Sequence, residues 1–249
     1  MNAPIRSAAE GSGLRAIPAS ARIQAALREA ILGMRLLPGA ALSEKDIAES
    51  YGVSRTPVRE ALLRLAEERL LDIYPQVGTF VSRIRLDGLS DAMVIRTALE
   101  RVTVRAAAER TDAATGAELR ANLARQRATD RAGDLDAFHA ADEDFHQIIA
   151  RAAGHPHLWR VVKQEKVQVD RCRLLTLPQP TRRKRVMAQH AAILEAILAA
   201  DPDAAEAAMT AHLADVLPSI ETLREAHPDY FEAGGEAPLA RPRRGAARP

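Results

Sequence analysis

Gly52-Val-Ser-Arg-Thr-Pro-Val-Arg-Glu-Ala-Leu62 is the stretch of this sequence that decides the fold. Gly52 interrupts the pattern of a short preceding helix, and Ser54 is a favoured cap for the next one. Pro57 falls in the first turn of that next helix, where its missing N–H removes no hydrogen bond. The stretch therefore predicts two helices joined by a tight turn, the second of which runs to about Arg69.

Further helices precede that stretch, and a hairpin follows it. Apolar residues recur at helical spacing over 20–33, and the short helix over 43–51 opens with a serine and an aspartate three apart, which resemble a capping box. Two extended runs, 71–74 and 79–82, are joined by Pro75-Gln-Val-Gly78, as in a hairpin with a tight tip. Three helices followed by a hairpin is the element order of a winged helix-turn-helix.

After Arg83 the pattern changes to helices alone. We predict six, over about 87–110, 115–132, 134–153, 156–175, 181–200 and 203–225, separated by short breaks that contain Gly, Pro or Asp. Connections this short imply antiparallel neighbours in a bundle. The predicted fold is therefore mostly α, with an N-terminal winged helix-turn-helix and a C-terminal antiparallel all-helical bundle of about six helices.

The chain divides into four predicted parts: a flexible N-terminal arm (1–18), the winged domain (19–84), the helical domain (85–226) and a disordered basic tail (227–249). A length of 249 residues allows two domains, each with its own core. The last nine residues hold four arginines and no acid, and removing those four charges turns the net charge of +2 into −2. The folded body is therefore not globally basic, and any contact with nucleic acid must come from a local cluster.

Composition also bears on the compartment. Cys172 is the single cysteine, which excludes an intramolecular disulfide and is compatible with a reducing compartment. No apolar run approaches the roughly 20 residues that a membrane span needs, and residues 1–12 lack the apolar core of a signal peptide. The sequence therefore predicts a cytoplasmic protein that has no membrane partner.

The helix that starts after Ser54 carries the basic side chains suited to reading DNA. In a helix-turn-helix the second helix lies in the major groove, and its N-terminal residues reach the base edges. Arg55 and Arg59 are four apart and share a face, and a guanidinium can bind guanine O6 and N7 in a bidentate way. Thr56 and Lys45 are candidates for phosphate contacts. The alternative is that both arginines are merely solvated, but the capped helix start and the following hairpin favour DNA binding.

Residues 20–83 resemble the DNA-binding domain of the GntR family of bacterial transcriptional regulators. Three stretches carry the resemblance: Leu37-Pro-Gly-Ala-Ala-Leu-Ser-Glu-Lys-Asp-Ile-Ala48, Gly52 to Leu62 as quoted above, and Gly78-Thr-Phe-Val81. It implies that the hairpin tip enters the minor groove and that DNA contacts come from Lys45, Arg55, Thr56, Arg59, Gln76 and Gly78. Arg69 departs from the family, which usually has glycine there, and this predicts a less tight turn ahead of the hairpin.

The helical half carries an aspartate and histidines at helical spacings. Asp142 and His146 are four apart, so their side chains project together, while His190 and His212 lie in two later apolar patterns. Three imidazoles and a carboxylate form a mixed N/O set that suits zinc, nickel, manganese or similar ions. Taken singly, each histidine is more often a packed or surface residue than a ligand. His139, three residues before Asp142 on the same face, is a rival ligand.

Residues 87–225 resemble the FCD effector-binding domain of the FadR branch of the same family, and the six-helix count resembles its VanR-like subgroup. Four stretches match: Arg96-Thr-Ala-Leu-Glu100, Asp142-Glu-Asp-Phe-His146, His190-Ala-Ala-Ile-Leu-Glu-Ala-Ile197 and Ala208-Met-Thr-Ala-His-Leu213. In metal-binding members the ligands are an aspartate and three histidines. By that resemblance a divalent metal ion (zinc, nickel or manganese) would be held by Asp142, His146, His190 and His212.

Arg96 is the first candidate for binding an effector, because a guanidinium fork matches the shape of a carboxylate. The alternative is an internal ion pair with Glu100, four residues further on. Arg173 and Arg171 are weaker candidates for the same task. Members of the resembled family commonly respond to small organic acids, so the resemblance implies a small carboxylate effector.

These observations predict a sequence-specific transcriptional regulator, with repression favoured, and no enzymatic activity. A homodimer whose winged domains meet two half-sites would match a near-palindromic operator. One alternative is a metal-dependent hydrolase with an attached DNA-binding module, which a metal ion with an open position would allow, although no general base is evident beside the ligands. The other is a ligand-independent architectural DNA binder whose helical domain only dimerises.

Overall fold

The computed structural model describes residues 17–217 and 220–232. The predicted N-terminal arm lies outside the described residues except for Ile17 and Pro18, and the predicted tail lies outside them from residue 233 onward.

The first domain is a winged helix-turn-helix, as predicted. Its elements are α1 (Ala19–Leu32), β1 (Ala41–Leu42), α2 (Glu44–Tyr51), α3 (Arg55–Glu67), β2 (Leu71–Tyr74) and β3 (Gly78–Val81). The three strands form an antiparallel sheet in the order β1-β3-β2, in which Tyr74 pairs with Gly78 next to the hairpin tip. Strand β1 was not predicted, because two residues are too few to show an alternating pattern.

The core of this domain lies between α1 and α3. Ile23, Leu27 and Ile31 on α1 and Val58 and Leu65 on α3 are at most 1% exposed. Burial of each such side chain contributes about 1.5–3 kcal/mol relative to exposure. Since these residues fix one face of α3 inward, the opposite face of α3 is held toward solvent.

The rest of the chain is helical. Its elements are α4 (Leu89–Arg110), α5 (Ala113–Ala132), α6 (Leu135–Ala152), α7 (Pro156–Glu165), α8 (Val167–Thr176), α9 (Pro180–Leu198), α10 (Pro202–Ala214), α11 (Ile220–Ala226) and a final 3-10 turn (Pro228–Tyr230). Helix α5 packs against α6, and α10 packs against both α4 and α9. Within the described ranges, every helix is too short or too polar to cross a membrane.

Two of the six predicted helices are each divided. The one predicted over 156–175 breaks at Lys166, and the one predicted over 203–225 ends at Ala214 before α11 begins. Lys166 is fully buried, and its Nζ donates to Glu143 at 2.7 Å and to Asp170 at 2.5 Å. No glycine or proline marks this break, because its cause is a long-range pairing of charges.

The disordered tail was predicted to begin at residue 227, which is too early. Phe231 is only 4% exposed and belongs to the main core of the helical domain. The Ile84 N–H donates to the Tyr230 carbonyl at 2.8 Å, and the Glu232 N–H donates to the Ile84 carbonyl at 3.1 Å. Residues 228–232 therefore pack and hydrogen-bond against the segment that joins the two domains.

The turn after α3 is closed even though it lacks the glycine that is usual at this position. Arg69 adopts φ +57°, in the left-handed region. Its N–H donates to Ala66 O, and the Leu70 N–H donates to Leu65 O, both at 2.9 Å. The prediction of a less tight turn is therefore wrong. The turn closes because the Arg69 backbone adopts the left-handed conformation, which is strained for a residue with a Cβ.

This strain leads to a prediction for stability. Arg69→Gly is expected to raise the free energy of unfolding by up to about 1 kcal/mol. The left-handed conformation costs a residue with a Cβ about 1–2 kcal/mol, and glycine removes this cost. Part of the gain is offset, because glycine also increases the conformational entropy of the unfolded chain. Urea unfolding of the intact protein measures the change. Arg64→Gly, at an exposed position in the last turn of α3, is the control and is expected to lower stability by up to about 1 kcal/mol. Equal destabilisation by both changes would contradict the assignment of strain to Arg69.

Candidate DNA interface and metal centre

The outward face of α3 presents the basic residues predicted to read DNA. Arg55 is the first residue of this helix, and Arg55, Thr56 and Arg59 are all exposed. The Arg59 Nε donates to Glu44 Oε2 at 2.9 Å, which orients this guanidinium on the protein surface. Lys45, at the start of α2, is also exposed and lies 3.7 Å from a carboxylate oxygen of Glu49. The arrangement suits a helix that enters the major groove.

The hairpin tip forms a second exposed element of the same domain. Gln76 has φ +61° and Gly78 has φ +145°, and both residues are exposed. Val77 between them is 64% exposed. The tip is therefore narrow and projects from the sheet, which is the shape that a minor-groove contact requires.

In the helical domain, three of the predicted ligands meet. His146 on α6, His190 on α9 and His212 on α10 are all at most 2% exposed. Their ring centroids are 4.7–5.3 Å apart, and one nitrogen from each lies within 4.8 Å of the others. The Asp142 Oδ1 lies 3.7 Å from the His190 Nε2. The fold thus brings the three predicted histidines together from three helices and places the Asp142 carboxylate beside His190.

Hydrogen bonds to the outer nitrogen of each ring fix how the histidines face. The His190 Nδ1 lies 3.0 Å from Gln126 Oε1, and the His212 Nδ1 lies 3.0 Å from Gln189 Oε1. The His146 Nδ1 contacts the Glu100 carboxylate. An acceptor at each Nδ1 favours the tautomer with hydrogen there, which leaves the Nε2 lone pair directed at the other histidines.

The orientation of Gln126 is itself set by a buried chain of amides. Gln126 Nε2 donates to Asn122 Oδ1 at 2.7 Å, and Asn122 Nδ2 donates to the Ala141 carbonyl at 2.9 Å. Because its amide nitrogen is used in this way, Gln126 can present only its oxygen to His190. This chain fixes the protonated nitrogen of His190 as Nδ1.

The inward-facing atoms are well suited to hold a metal ion. Among the described residues, Asp142 Oδ1, His190 Nε2 and His212 Nε2 are buried and have no hydrogen-bond partner. A buried polar atom without a partner costs about 1–3 kcal/mol, so three such atoms in one place call for a common ligand. Three imidazole nitrogens and one carboxylate oxygen are donors that zinc, nickel and manganese accept.

The protonation states also suit a metal ion. Burial lowers the pKa of His190 to about 3 and holds the pKa of His212 well below its usual value, so both rings are neutral at pH 7. Burial alone would raise the pKa of Asp142, but the Arg173 guanidinium outweighs it and holds this pKa well below its usual range. The site therefore offers two neutral imidazoles and a carboxylate anion without prior loss of a proton.

Arg96 lies at the edge of the histidine cluster and is 1% exposed. Its Nε donates to Glu100 Oε1 at 2.5 Å, so the ion pair considered as an alternative does form. Its Nη2 lies 3.4 Å from the His146 Nε2, while its Nη1 has no partner within the described part of the chain. The ion pair thus uses only one side of the guanidinium and leaves donors directed elsewhere.

The other two candidates from the sequence have different surroundings. Arg173 donates to Asp142 Oδ2 at 2.7 Å and lies 3.8 Å from both Glu143 and Asp170. Three carboxylates already neutralise this guanidinium, so the geometry favours positioning of Asp142 over the predicted effector contact. His139 groups with Asp142 and Glu143, but the ammonium of Lys166 already bonds Glu143 there.

Sequence reasoning missed several of these partners. Gln126, Gln189 and Glu100 as a partner of His146 were not predicted, because each is defined by a contact between different helices. Trp159, the single tryptophan, stacks on His146 with ring centroids 5.4 Å apart. The available signal was weak: Asn122 and Gln126 are buried amides four apart on a mostly polar α5.

Comparison with known proteins agrees with this arrangement. Residues 19–81 match the model of the bacterial regulatory proteins of the gntR family, and residues 91–215 match the FCD domain. The chain is 42% identical over 205 residues to a helix-turn-helix transcriptional regulator from an unstable DNA locus of Streptomyces ambofaciens, covering 82% of this chain and 86% of that one. It belongs to the GntR family.

A second relative of this GntR-family chain is the transcriptional repressor RspR of Escherichia coli K12. The two are 34% identical over 214 residues, which are 86% of this chain and 94% of RspR. The fold resembles that of McbR/YncC from E. coli, with a TM-score of 0.70 at 24% identity over 84% of this chain and 98% of that one. It also resembles a GntR-type regulator from Rhodococcus sp. RHA1, with a TM-score of 0.64 at 25% identity over 79% and 94% of the two chains.

These matches show a DNA-binding transcriptional regulator of the GntR/FCD type and not an enzyme. The predicted family and the predicted fold class are thereby confirmed. The hydrolase alternative fails, because the family and the named relatives are regulators that bind DNA.

Proposed function

We propose that this GntR-family regulator is a repressor whose operator binding is controlled by a small carboxylate, held at a divalent metal ion in the helical domain. The observation that carries the proposal is that one nitrogen each of His146, His190 and His212 lies within 4.8 Å of the others in a buried place, with Asp142 Oδ1 3.7 Å from the His190 Nε2. Three of these four atoms lack a hydrogen-bond partner among the described residues.

Each proposed ligand has a partner that restrains it. Gln126, Gln189 and Glu100 hold the three imidazoles, and Arg173 holds the second oxygen of Asp142. Such partners raise metal affinity because the ligands need not be reoriented. A bound zinc, nickel or manganese ion would supply a Lewis-acidic centre to which a carboxylate oxygen can coordinate.

Arg96 is the proposed partner for the remainder of that carboxylate. Its Nη2 donates a hydrogen bond to the lone pair of the His146 Nε2. A metal ion bound by His146 would need that same lone pair. The two uses exclude each other, so a bound metal ion would leave Nη2 available beside Nη1, which has no partner among the described residues. Two adjacent N–H groups of a guanidinium then face the site, which is the fork that binds a carboxylate in a bidentate way.

Repression, dimerisation and DNA contacts complete the proposal. RspR, 34% identical to this chain, is named a repressor, which supports repression as the effect of this protein on transcription.

The helical domain also offers apolar side chains for pairing of two copies in the cytoplasm. Helix α4 exposes Val94 and Val102, and the adjacent α7 exposes Val161. A homodimer would place Lys45, Arg55, Thr56 and Arg59, with Gln76 and Gly78 of the tip, on both halves of a symmetric operator.

Substitution of Arg96 tests the effector part. Arg96→Lys retains a cation beside Glu100 but removes the fork, and it is expected to weaken binding of a carboxylate at least about 10-fold while zinc affinity changes less than about threefold. Titration calorimetry with zinc, then with a panel of small mono-, di- and hydroxycarboxylates, measures both. Arg127→Lys, an exposed arginine on α5, is the control. Unchanged carboxylate affinity in Arg96→Lys would remove this residue from the site.

The architectural alternative gives a different set of results. If the helical domain only pairs two copies, no carboxylate will bind to the wild-type protein, and removal of metal with a chelator will leave operator affinity unchanged. Either a bound acid or a metal-dependent operator affinity excludes that alternative.

A further inference from the structure

Helix α8 touches both the DNA-binding domain and the candidate metal centre. It has ten residues, Val167 to Thr176, and so is about 15 Å long. Val169 and Cys172 pack in the core of the helical domain, which fixes one face of α8 there. The other faces carry polar residues that reach in two different directions.

One face of α8 is joined to the DNA-binding domain. Val167 is 5% exposed and packs in the core of the winged domain, although it belongs to the helical part of the chain. Arg171 Nη2 donates to the Ser82 carbonyl at 2.6 Å, directly after β3. Gln168 Nε2 donates to the Arg69 carbonyl at 3.2 Å, in the turn between α3 and β2. These contacts hold both ends of the β2–β3 hairpin, which begins after α3, the candidate recognition helix.

The other polar face of α8 is joined to the candidate metal centre. Arg173 holds the Asp142 carboxylate, and Asp170 holds the ammonium of Lys166. Arg171 and Arg173 are two residues apart, or about 3 Å along the helix axis. A shift of Asp142 that moves Arg173 must therefore move Arg171 too, because one rigid turn of helix carries both.

Arg171 is a costly residue for a merely structural contact. It is fully buried, and within the described chain it makes no ion pair with a carboxylate. Its Nη1 donates to Gln168 Oε1 at 3.1 Å, and its Nε has no hydrogen-bond partner among the residues that the structure describes. Burial lowers the pKa of this guanidinium to about 10, which still leaves it charged at pH 7. Burying a charge that is bound only to neutral oxygens carries a desolvation cost that such bonds offset only in part.

We infer that Arg171 is a positioning residue that couples the two domains: through α8, it transmits the state of the Asp142 carboxylate to the Ser82 carbonyl and so to the placement of the recognition helix. This inference rests on the proposed control of operator binding by the metal site. It adds the route of that control and the residues that form it. Coupling of this kind requires one element that both sites bias, and α8 is bonded to both.

The test measures operator affinity with and without zinc, which is used alone as the probe. For the wild-type full-length protein, the ratio of the two dissociation constants is expected to be about 10, in the usual range for coupled sites. In Arg171→Gln the ratio is expected to fall below about 2, while zinc affinity and the operator affinity of the metal-free protein each stay within about threefold of wild type. Gln168→Ala, which removes the bond to the Arg69 carbonyl at a partly exposed position, is expected to lower the ratio in the same direction.

Two controls separate coupling from folding. Arg160→Gln changes an exposed arginine on the neighbouring α7 and is expected to keep the wild-type ratio. Arg171→Lys retains the charge and one donor toward Ser82, and it is expected to recover part of the ratio. Should Arg171→Gln fail to fold by circular dichroism, Gln168→Ala and Arg171→Lys still decide the question.

The outcomes point to different failures. A wild-type ratio near 1 overturns this inference, whereas the proposed control by a carboxylate is decided separately by the carboxylate titrations of the wild type and Arg96→Lys. A wild-type ratio near 10 that persists in both Arg171→Gln and Gln168→Ala overturns only the inference, since the signal then travels by another route. A large loss of zinc affinity in Arg171→Gln also overturns it, because Arg171 would then belong to the metal site itself.

Discussion

Replacement of Arg55 by alanine is expected to weaken binding to the operator about 100-fold. Arg55 is exposed at the first position of α3, where a guanidinium can reach a guanine edge. One bidentate contact with guanine contributes about 1–3 kcal/mol of discrimination. The proposed dimer would make this contact twice, once in each half-site, so the two losses would add. Gel-shift or anisotropy titration with the promoter DNA beside its own gene, at fixed salt, measures the change.

The specificity of that loss can be checked in the same titration. Affinity for unrelated DNA is expected to fall only about as far as one lost charge per half-site requires, because phosphate contacts supply most non-specific binding. Zinc binding should be unchanged, since Arg55 lies in the other domain. Arg127→Ala on α5 is the matched control for charge. Loss of zinc binding together with operator binding would indicate unfolding and would leave Arg55 without an assigned role.

Replacement of His190 by alanine is expected to lower zinc affinity more than about 100-fold and to reduce the metal content of the purified protein from about one ion per chain to less than about a tenth. Loss of a mere positioning partner of a ligand lowers affinity about 10- to 100-fold, so loss of a ligand should do more. Metal content by elemental analysis measures the effect, and fluorescence of Trp159 follows zinc binding because its ring stacks on His146.

The control for this change is His139→Ala. His139 also lies on α6, next to Asp142 and Glu143, but outside the cluster of three histidines. Its removal is expected to leave zinc binding intact. The opposite result, with His139→Ala losing the ion and His190→Ala keeping it, would contradict the ligand set. Since His190 also stacks on Phe145 at 4.2 Å, thermal unfolding of the metal-free variant should be recorded alongside.

Sequence reasoning went furthest where a signal is local. The capped start of α3, the glycine before it and the hairpin turn each act within a few residues, and the winged helix-turn-helix follows from them. The full set of candidate metal ligands was predicted through a family resemblance, since His190 and His212 are distant in sequence from Asp142 and His146. The break at Lys166 was missed because it depends on Glu143, 23 residues earlier in the chain. The ordered segment around Phe231 was missed for the same reason, since its partner is Ile84.

The sequence alone determined the family and the two domains and supplied the candidate groups for DNA and metal, since these depend on residue type, on spacing along a helix and on the match to family patterns. Tertiary structure decided the rest. It alone placed Gln126, Gln189 and Glu100 behind the histidines, committed Arg173 to Asp142, and put Arg171 of one domain against Ser82 of the other. The physical reason is that helical periodicity fixes which side chains share a face, while the partner of a face is chosen by packing between segments far apart in sequence.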